Sequence, residues 1–287
     1  MRLDQVIPRH VAGLSRRKAR AVIDLGGVFV DAARTKVASR AMRAGQVVVV
    51  NIGGALEHAK AAVVPLAAVD APTTLGARVV HVDPHVIVVD KPAGLVTAPT
   101  PESDRGDLFD QLKRAYGECY LVHRLDLPTS GLLVFARTRD ANKRLGDAFV
   151  RHDIDREYRA VAIGAVAAQT IDAPVGGKHA VTHVTPLETL GGESRDTRGA
   201  TLLSVQLETG RSHQIRLHLA GLGHPVAGDH QHGGETGRTF IPKAPRLALH
   251  AALLGFTHPG SGERVRFEAP LPDDLSAWIE RLRGRAD

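Results

Sequence analysis

Residues 121–137, Leu-Val-His-Arg-Leu-Asp-Leu-Pro-Thr-Ser-Gly-Leu-Leu-Val-Phe-Ala-Arg, constrain the fold of this chain more than any other stretch. Two apolar, strand-like runs flank a polar hinge, and the hinge carries one carboxylate, Asp126, between the His123-Arg124 pair and a Pro-Thr-Ser-Gly turn. The pattern predicts strand, turn, strand, with the acid placed where a strand stops. Side chains at such positions commonly serve chemistry rather than packing. The neighbouring positive charge favours the ionised carboxylate even where water is partly excluded. Taken alone, an Arg-Leu-Asp tripeptide is an ordinary solvated turn, because matches this short arise by chance.

The surrounding chain alternates sheet and helix signals. Residues 79–89 are β-rich and broken at Asp83-Pro84, which predicts a hairpin or bend before Lys91-Pro92. Leu108, Leu112, Ala115 and Tyr116 share a helix face, as do Ala141, Leu145, Ala148 and Phe149. Strand-like runs follow at 158–163 and 201–207, then a helix through Ile215, Leu219 and Leu222 that stops at Gly223. Leu247, Leu249 and Ala251 alternate, as do Val265 and Phe267, and Leu275, Trp278, Ile279 and Leu282 mark a last helix. Strands and helices in irregular order, with several hairpins, predict a mixed α+β fold around a largely antiparallel sheet.

The N-terminal region reads as a separate small unit. Ser15 is a good N-cap, Ala19, Val22 and Ile23 recur at helical spacing, and Gly26-Gly27 is the stop. Arg16 and Arg20 lie one turn apart on this helix, flanked by Arg17 and Lys18. Val28-Phe29-Val30 and residues 47–50 read as strands. The four basic residues are candidate RNA-backbone contacts, which bring affinity and position rather than sequence discrimination; the alternative is a wet amphipathic face. Residues 53–76, with Gly53-Gly54, Pro65 and Asp70-Ala71-Pro72-Thr73-Thr74, read as a linker. The expected division is therefore 1–52, a linker over 53–76, and a large domain over 77–287.

The net charge of +6 and a pI near 9.8 point towards a polyanionic partner. The single cysteine, Cys119, excludes an intrachain disulfide and suits a reducing compartment. No apolar run is long enough to cross a bilayer, and the first residues do not form a secretory signal. These features lead us to expect a soluble, cytoplasmic, monomeric protein.

Four segments together identify a family. His123-Arg124-Leu125-Asp126 with Thr129-Ser130-Gly131-Leu132-Leu133 resembles the catalytic signature of the RluA-type pseudouridine synthases. Lys91-Pro92-Ala93-Gly94, the segment from Thr209 through Gly210-Arg211-Ser212-His213-Gln214-Ile215 to Arg216, and Gly223-His224-Pro225 followed by Gly228-Asp229 match the same family in the same order. The N-terminal unit resembles the alpha-L (S-four-type) RNA-binding domain through Arg2-Leu3-Asp4, Ser15-Arg16-Arg17-Lys18-Ala19, Gly27-Val28-Phe29-Val30 and Ala44-Gly45-Gln46-Val47.

The resemblance implies isomerisation of uridine in structured RNA. The bond from ribose to N1 of uracil breaks, the base turns, and the bond reforms at C5. No redox change or phosphate transfer occurs, so no cofactor and no metal are required. It further implies Asp126 as the nucleophile, Arg211 as its positive partner, and Tyr158 as an aromatic that stacks on the flipped base or relays a proton. On periodicity alone Tyr158 is a core strand residue, and Arg211 alone is a phosphate contact or a helix-end salt bridge. Arg124 is a candidate brace for the gap left by an extruded base. The two-part layout implies large-subunit ribosomal RNA as substrate, with transfer RNA second. A rival from another class is a non-catalytic RNA-binding or ribosome-assembly protein on the same fold. A glycosidase would want a second acid beside Asp126, and none stands out near these motifs.

The chain departs from the family at Leu127-Pro128, where a charged or polar pair is frequent, and at His230-Gln231-His232-Gly233, where a tyrosine often precedes the final glycine. Among the 15 histidines, His213 and His218 at i, i+5 fall on poorly matched faces, and no carboxylate-histidine pattern supports zinc. Gly176-Gly177-Lys178 reads as a turn, and Arg195-Asp196-Thr197-Arg198 as an exposed loop.

Overall fold

The computed structural model describes residues 2–11, 16–24, 28–31, 33–35, 37–50, 62–63, 75–99, 106–191 and 199–284. Ser15, Gly26-Gly27, most of residues 53–76, residues 195–198 and the side chains of Arg17 and Lys18 lie outside the described part. The chain divides into two compact units, residues 1–75 with 111–118, and residues 76–110 with 119–287.

In the first unit, helices α1 (Leu3–His10) and α2 (Arg16–Asp24) accompany strands β1 (Val28–Val30), β2 (Ala33–Arg34), β3 (Val48–Val50) and β4 (Ala62–Val63). The sheet order is β2-β1-β3-β4, so residues 62–63, inside the stretch read as linker, extend this sheet. Helix α1 was not expected. Its signal is the i, i+4, i+8 series Leu3, Ile7 and Val11, which packs on Ala19, Ile23, Val28 and Val50. Asp4 lies on the same helix, fully buried, and receives Arg16 Nε at 3.1 Å and Arg20 Nε at 2.9 Å. Burial opposes its ionised form, but these guanidinium groups outweigh it and hold the carboxyl below its ordinary pKa. Arg16 and Arg20, half exposed, therefore brace α1 against α2 as well as facing water.

The second unit is a mixed α+β body around one twisted sheet. Its strands are β5 (Arg78–Val82), β6 (Val86–Lys91), β7 (Tyr120–Leu121), β8 (Ser130–Ala136), β9 (Ile154–Ile163), β10 (Gln169–Asp172), β11 (Val181–Leu190), β12 (Ala200–Leu207), β13 (Leu249–Thr257) and β14 (Arg264–Glu268). The order is β10-β11-β12-β9-β13-β8-β6-β5, with β14 on β13 and β7 on β8. Among the described strands, β13 with β8 is the parallel pair and the others run antiparallel.

The hairpin expected at Asp83-Pro84 is there, and Asp83 Oδ1 holds its turn by accepting the His85 and Val86 N–H groups. Helix α3 (Leu108–Tyr116) has residues in both units. Helix α4 (Arg139–Val150) is capped by Thr138, whose side chain accepts the Ala141 N–H at 3.1 Å. Its face Ala141, Leu145 and Ala148 packs on Leu132, Val134, Leu254 and Phe256. Helices α5 (Gln214–Gly221), α6 (Gly234–Thr239) and α7 (Asp273–Arg283) complete the unit. The alternation read at Leu247–Ala251 was misleading, because β13 is buried at every position except its last. A strand covered on both faces needs no polar side.

β13 changes neighbours along its length. His250 and Ala251 pair with β8, and residues 253–257 pair with β14, while β9 runs along the opposite edge. Gly131 is the contact that brings β8 in. Its φ is +116°, and a Cβ there would lie 2.3 Å from the Ala251 carbonyl oxygen. The glycine of the Thr-Ser-Gly signature is thus required by close backbone approach.

Candidate active site

The hinge carrying Asp126 is clamped by the loop that follows β6. Thr97 Oγ1 donates to the Leu125 carbonyl at 2.9 Å, and the Gly94 N–H donates to the Leu127 carbonyl at 2.8 Å. Lys91, fully buried, directs Nζ at the carbonyls of Pro92 and Leu95, with Leu127 at 3.4 Å. Burial pushes the Lys91 ammonium down to about 8; Asp126 opposes the shift and Arg246 adds to it. From the other side, His123 Nε2 accepts the Val134 N–H of β8 at 3.1 Å while its ring packs on Phe149. Burial, with the Arg156 charge, pushes His123 down to about 3, so it is neutral and Nε2 is free to accept. The carboxylate is therefore held by backbone contacts on both flanks.

A cavity of about 570 Å³ opens over this hinge, a size typical of small-ligand sites. Its lining includes Arg124, Asp126, Arg156, Tyr158, Arg211 and Arg216. Among the described residues, Asp126 is the carboxylate on its wall, 24 % exposed. Tyr158 stands in the middle of β9, paired with Ala251 and Val205, and is 9 % exposed. Burial raises its phenol above the ordinary pKa and Asp126 adds to the rise, against Arg156. Arg156 lies two residues earlier on β9, donating to the Leu207 and Glu208 carbonyls with its guanidinium 5.5 Å from the Phe149 ring centroid.

The structure corrects the expected ion pair. Arg211 lines the cavity, but its Nε donates to the His179 carbonyl at 3.0 Å. The partner of Asp126 is Arg216, whose Nη1 lies 3.4 Å from Asp126 Oδ2. The cause is local. Gln214, buried, accepts Thr209 Oγ1 and the Arg211 N–H and donates to Val181 and Thr182, pinning the turn. His213 then takes a left-handed conformation at φ 57°, and α5 starts immediately after it. Arg216 sits on the first turn facing Asp126, whereas Arg211, also on the cavity wall, turns its Nε to the His179 carbonyl.

Arg216 is 4 % exposed and forks onto Asp229, with Nε and Nη2 each 2.7 Å from a carboxylate oxygen. Burial opposes its charge, but Asp229 and Asp126 outweigh burial and raise its pKa further. Asp229 is held below the ordinary carboxylate range; burial opposes this, but Arg216 and the His232 and Gln231 N–H groups outweigh it. His213 supplies a second approach, with Nε2 3.7 Å from Asp126 Oδ1 and Nδ1 2.8 Å from His232 Nε2. Burial, then the Arg216 charge, lowers the His232 pKa. A signal for Arg216 was present in the sequence. An arginine between Ile215 and Leu219 on an apolar helix face must be buried, and a buried cation requires an acid.

Arg16 and Arg20 belong to the other unit and are not part of this wall. Among the described residues, no group of three or more His, Cys, Asp or Glu is arranged to hold a metal, and no helix is long and apolar enough to cross a membrane.

A mixed sheet with one clamped carboxylate beside a buried tyrosine and a forked arginine fits a base-modifying isomerase. Residues 85–221 match the family model described as RNA pseudouridylate synthase. The ribosomal large subunit pseudouridine synthase D of Nitrosomonas europaea is 33 % identical over 99 % of this chain and 85 % of its own length. An uncharacterised RNA pseudouridine synthase of Bacillus subtilis is 39 % identical over 70 % of this chain and 71 % of its own. The chain belongs to the RNA pseudouridine synthase family, a family of isomerases. In fold it is similar to human RNA pseudouridylate synthase domain containing 1, with a TM-score of 0.56 at 23 % identity over 74 % of this chain and 96 % of that one.

Proposed function

We propose that this protein isomerises uridines of large-subunit ribosomal RNA to pseudouridine, with Asp126 as the nucleophile. The observation that carries the reading is the wall carboxylate of Asp126, paired with Arg216 at 3.4 Å and approached by His213 at 3.7 Å, beside Tyr158. A uracil flipped into the cavity would place its ring near Tyr158 and its glycosidic bond near Asp126. A nucleophile pre-set by its clamped backbone spends little on reorganisation. Tyr158, with its raised pKa, keeps its proton at neutral pH and suits stacking and proton donation. Arg124 is exposed at the rim, where a cation can brace the space vacated by the base. Arg211, with Nε occupied by a carbonyl, is assigned to the RNA backbone rather than to Asp126.

The lone wall carboxylate disfavours a glycosidase, because the second nearby acid, Asp229, has both oxygens taken by Arg216. Ribosomal RNA is placed ahead of transfer RNA on the names of the relatives. The first unit is assigned as an alpha-L-type RNA-binding domain, with Arg17 and Lys18 beside the Asp4-paired Arg16 and Arg20. Action in the cytoplasm as a monomer completes the reading.

Tritium release from C5-labelled transcripts tests it, because C5 loses its hydrogen only on becoming the new glycosidic carbon. Wild type should release tritium from ribosomal transcripts faster than from transfer RNA, and Asp126→Asn should release none. Equal release by wild type and Asp126→Asn would remove Asp126 from its role. No release from either, with RNA still bound, would favour the scaffold reading.

A further inference from the structure

A second cavity, of about 260 Å³, lies between the loop after Asp229 and helix α6. It is lined by Gly228, His230, Gly237, Arg238, Phe240, Lys243 and Ala244. Among the described residues, Arg238 and Lys243 are the charged side chains on its wall, with the His230 ring beside them, and no carboxylate lines it. Asp229 is engaged with Arg216 and Asp274 with Arg246 at 2.7 Å, and Glu235, one turn before Arg238 on α6, does not line the cavity. Arg238 and Lys243 are exposed, and neither has an ion-pair partner among the described residues.

The frame around these cations is built rather than loose. Phe240, buried, meets Trp278 edge-on at 6.3 Å, and Trp278 Nε1 donates to the Pro242 carbonyl at 3.1 Å. The Gly233 N–H returns to the Asp229 carbonyl at 2.9 Å, and the Gly237 N–H to that of Gly233 at 2.8 Å. Gly228 has φ +77°, and a Cβ there would lie 2.1 Å from the Arg246 carbonyl oxygen, so the two ends of the loop close on each other. One residue of backbone links the cavities: Gly228 lines the second, and Asp229 holds the arginine that pairs with Asp126.

We propose that this cavity is an anion subsite that takes a backbone phosphodiester of the RNA strand beside the nucleotide held over Asp126. The inference rests on the reading of the chain as an RNA-modifying enzyme. A flipped nucleotide drags its flanking phosphates towards the protein, and two cations without ion-pair partners among the described residues, Arg238 on α6 and Lys243 just after it, meet them without losing an existing ion pair. The subsite fixes the register of the strand and leaves the chemical step to the first cavity.

The test is fluorescence anisotropy of an end-labelled, unmodified large-subunit ribosomal RNA transcript, titrated at several KCl concentrations. Arg238→Ala/Lys243→Ala should bind roughly tenfold more weakly, with a log–log salt slope shallower by about 2. Arg238→Lys/Lys243→Arg should stay close to wild type, because charge rather than shape is read. An unchanged slope, or a conservative pair as weak as the alanine pair, would overturn the proposal. Inorganic phosphate at constant ionic strength separates the two sources of the anion. Phosphate should displace RNA from wild type beyond the effect of chloride and lose that excess on the alanine pair. Saturable phosphate binding at the cavity that leaves RNA affinity untouched would assign it to a free phosphate and overturn the backbone assignment. Binding is read without turnover, so an inactive wild type would sink the isomerase reading while leaving this outcome legible. In the tritium assay the alanine pair should raise KM and leave kcat unchanged.

Discussion

Arg216 forks onto Asp229 and reaches Asp126 from a nearly solvent-free position. One guanidinium thus satisfies a buried structural acid and orients the proposed nucleophile, which a point charge cannot do in the same geometry. Arg216→Lys should keep the charge, lose the fork, and release tritium more than tenfold more slowly than wild type. Arg216→Met should strand Asp229 and cost about 3–5 kcal/mol of stability in chemical unfolding. His123 gives a pH prediction. Its pKa of about 3 lies below that of an exposed histidine, so between about 6.5 and 3 the unfolded chain binds the proton that the fold refuses. Stability from this group is complete above about pH 6.5 and falls as pH drops through that window, by up to about 5 kcal/mol. His123→Gln, followed by urea unfolding across the window, should show a flatter acid limb than wild type.

At the scale of elements, the parallel contact between β8 and β13 positions the site, because β8 follows the hinge directly and β13 borders Tyr158 on β9. Gly131 lets that contact form. Gly131→Ala sets a Cβ against backbone that has no rotamer to escape into, and at a φ that side chains rarely adopt. The expected outcome is a loss of at least about 2 kcal/mol in urea unfolding, together with lower activity. The helix starting at Gln214 acts similarly through placement, since it begins directly after the left-handed turn at His213 and carries the arginine of the signature that meets Asp126.

For the whole molecule, the large sheet gathers segments from residues 122–129, 156–158 and 210–216 on one cavity, with Lys91, Thr97 and Asp229 bonded to residues of those segments, although they span much of the chain. The first unit has a core of its own, built from Leu3, Ile7, Ala19, Ile23, Val28, Val30 and the strand at 48–50. If it supplies RNA affinity, Arg17→Ala/Lys18→Ala should flatten the salt dependence of RNA binding by about 2 and leave kcat at saturating RNA intact. Additivity of its effect on log K with that of the Arg238/Lys243 pair, which belongs to the other unit, is the expected outcome of a double-mutant cycle. An unchanged slope would count against RNA binding by the first unit.

The sequence by itself determined the class of fold, the helices and strands with clear periodicity, and the signature segments around Asp126, Tyr158 and Arg211. The elements depend on local spacing, which one chain displays directly, and the three site segments on the resemblance of its motifs to a family. The resemblance pointed to Arg211 as the partner of Asp126, but Arg216 takes that place, because only the folded chain brings a residue 90 positions further along within reach. It gave no warning that Arg16 and Arg20 share a buried acid on an unrecognised helix, or that β13 is covered on both faces. Burial and ion pairing are properties of neighbours in space. The residue types allow several partners, and the tertiary packing selects one by distance and by what water can still reach.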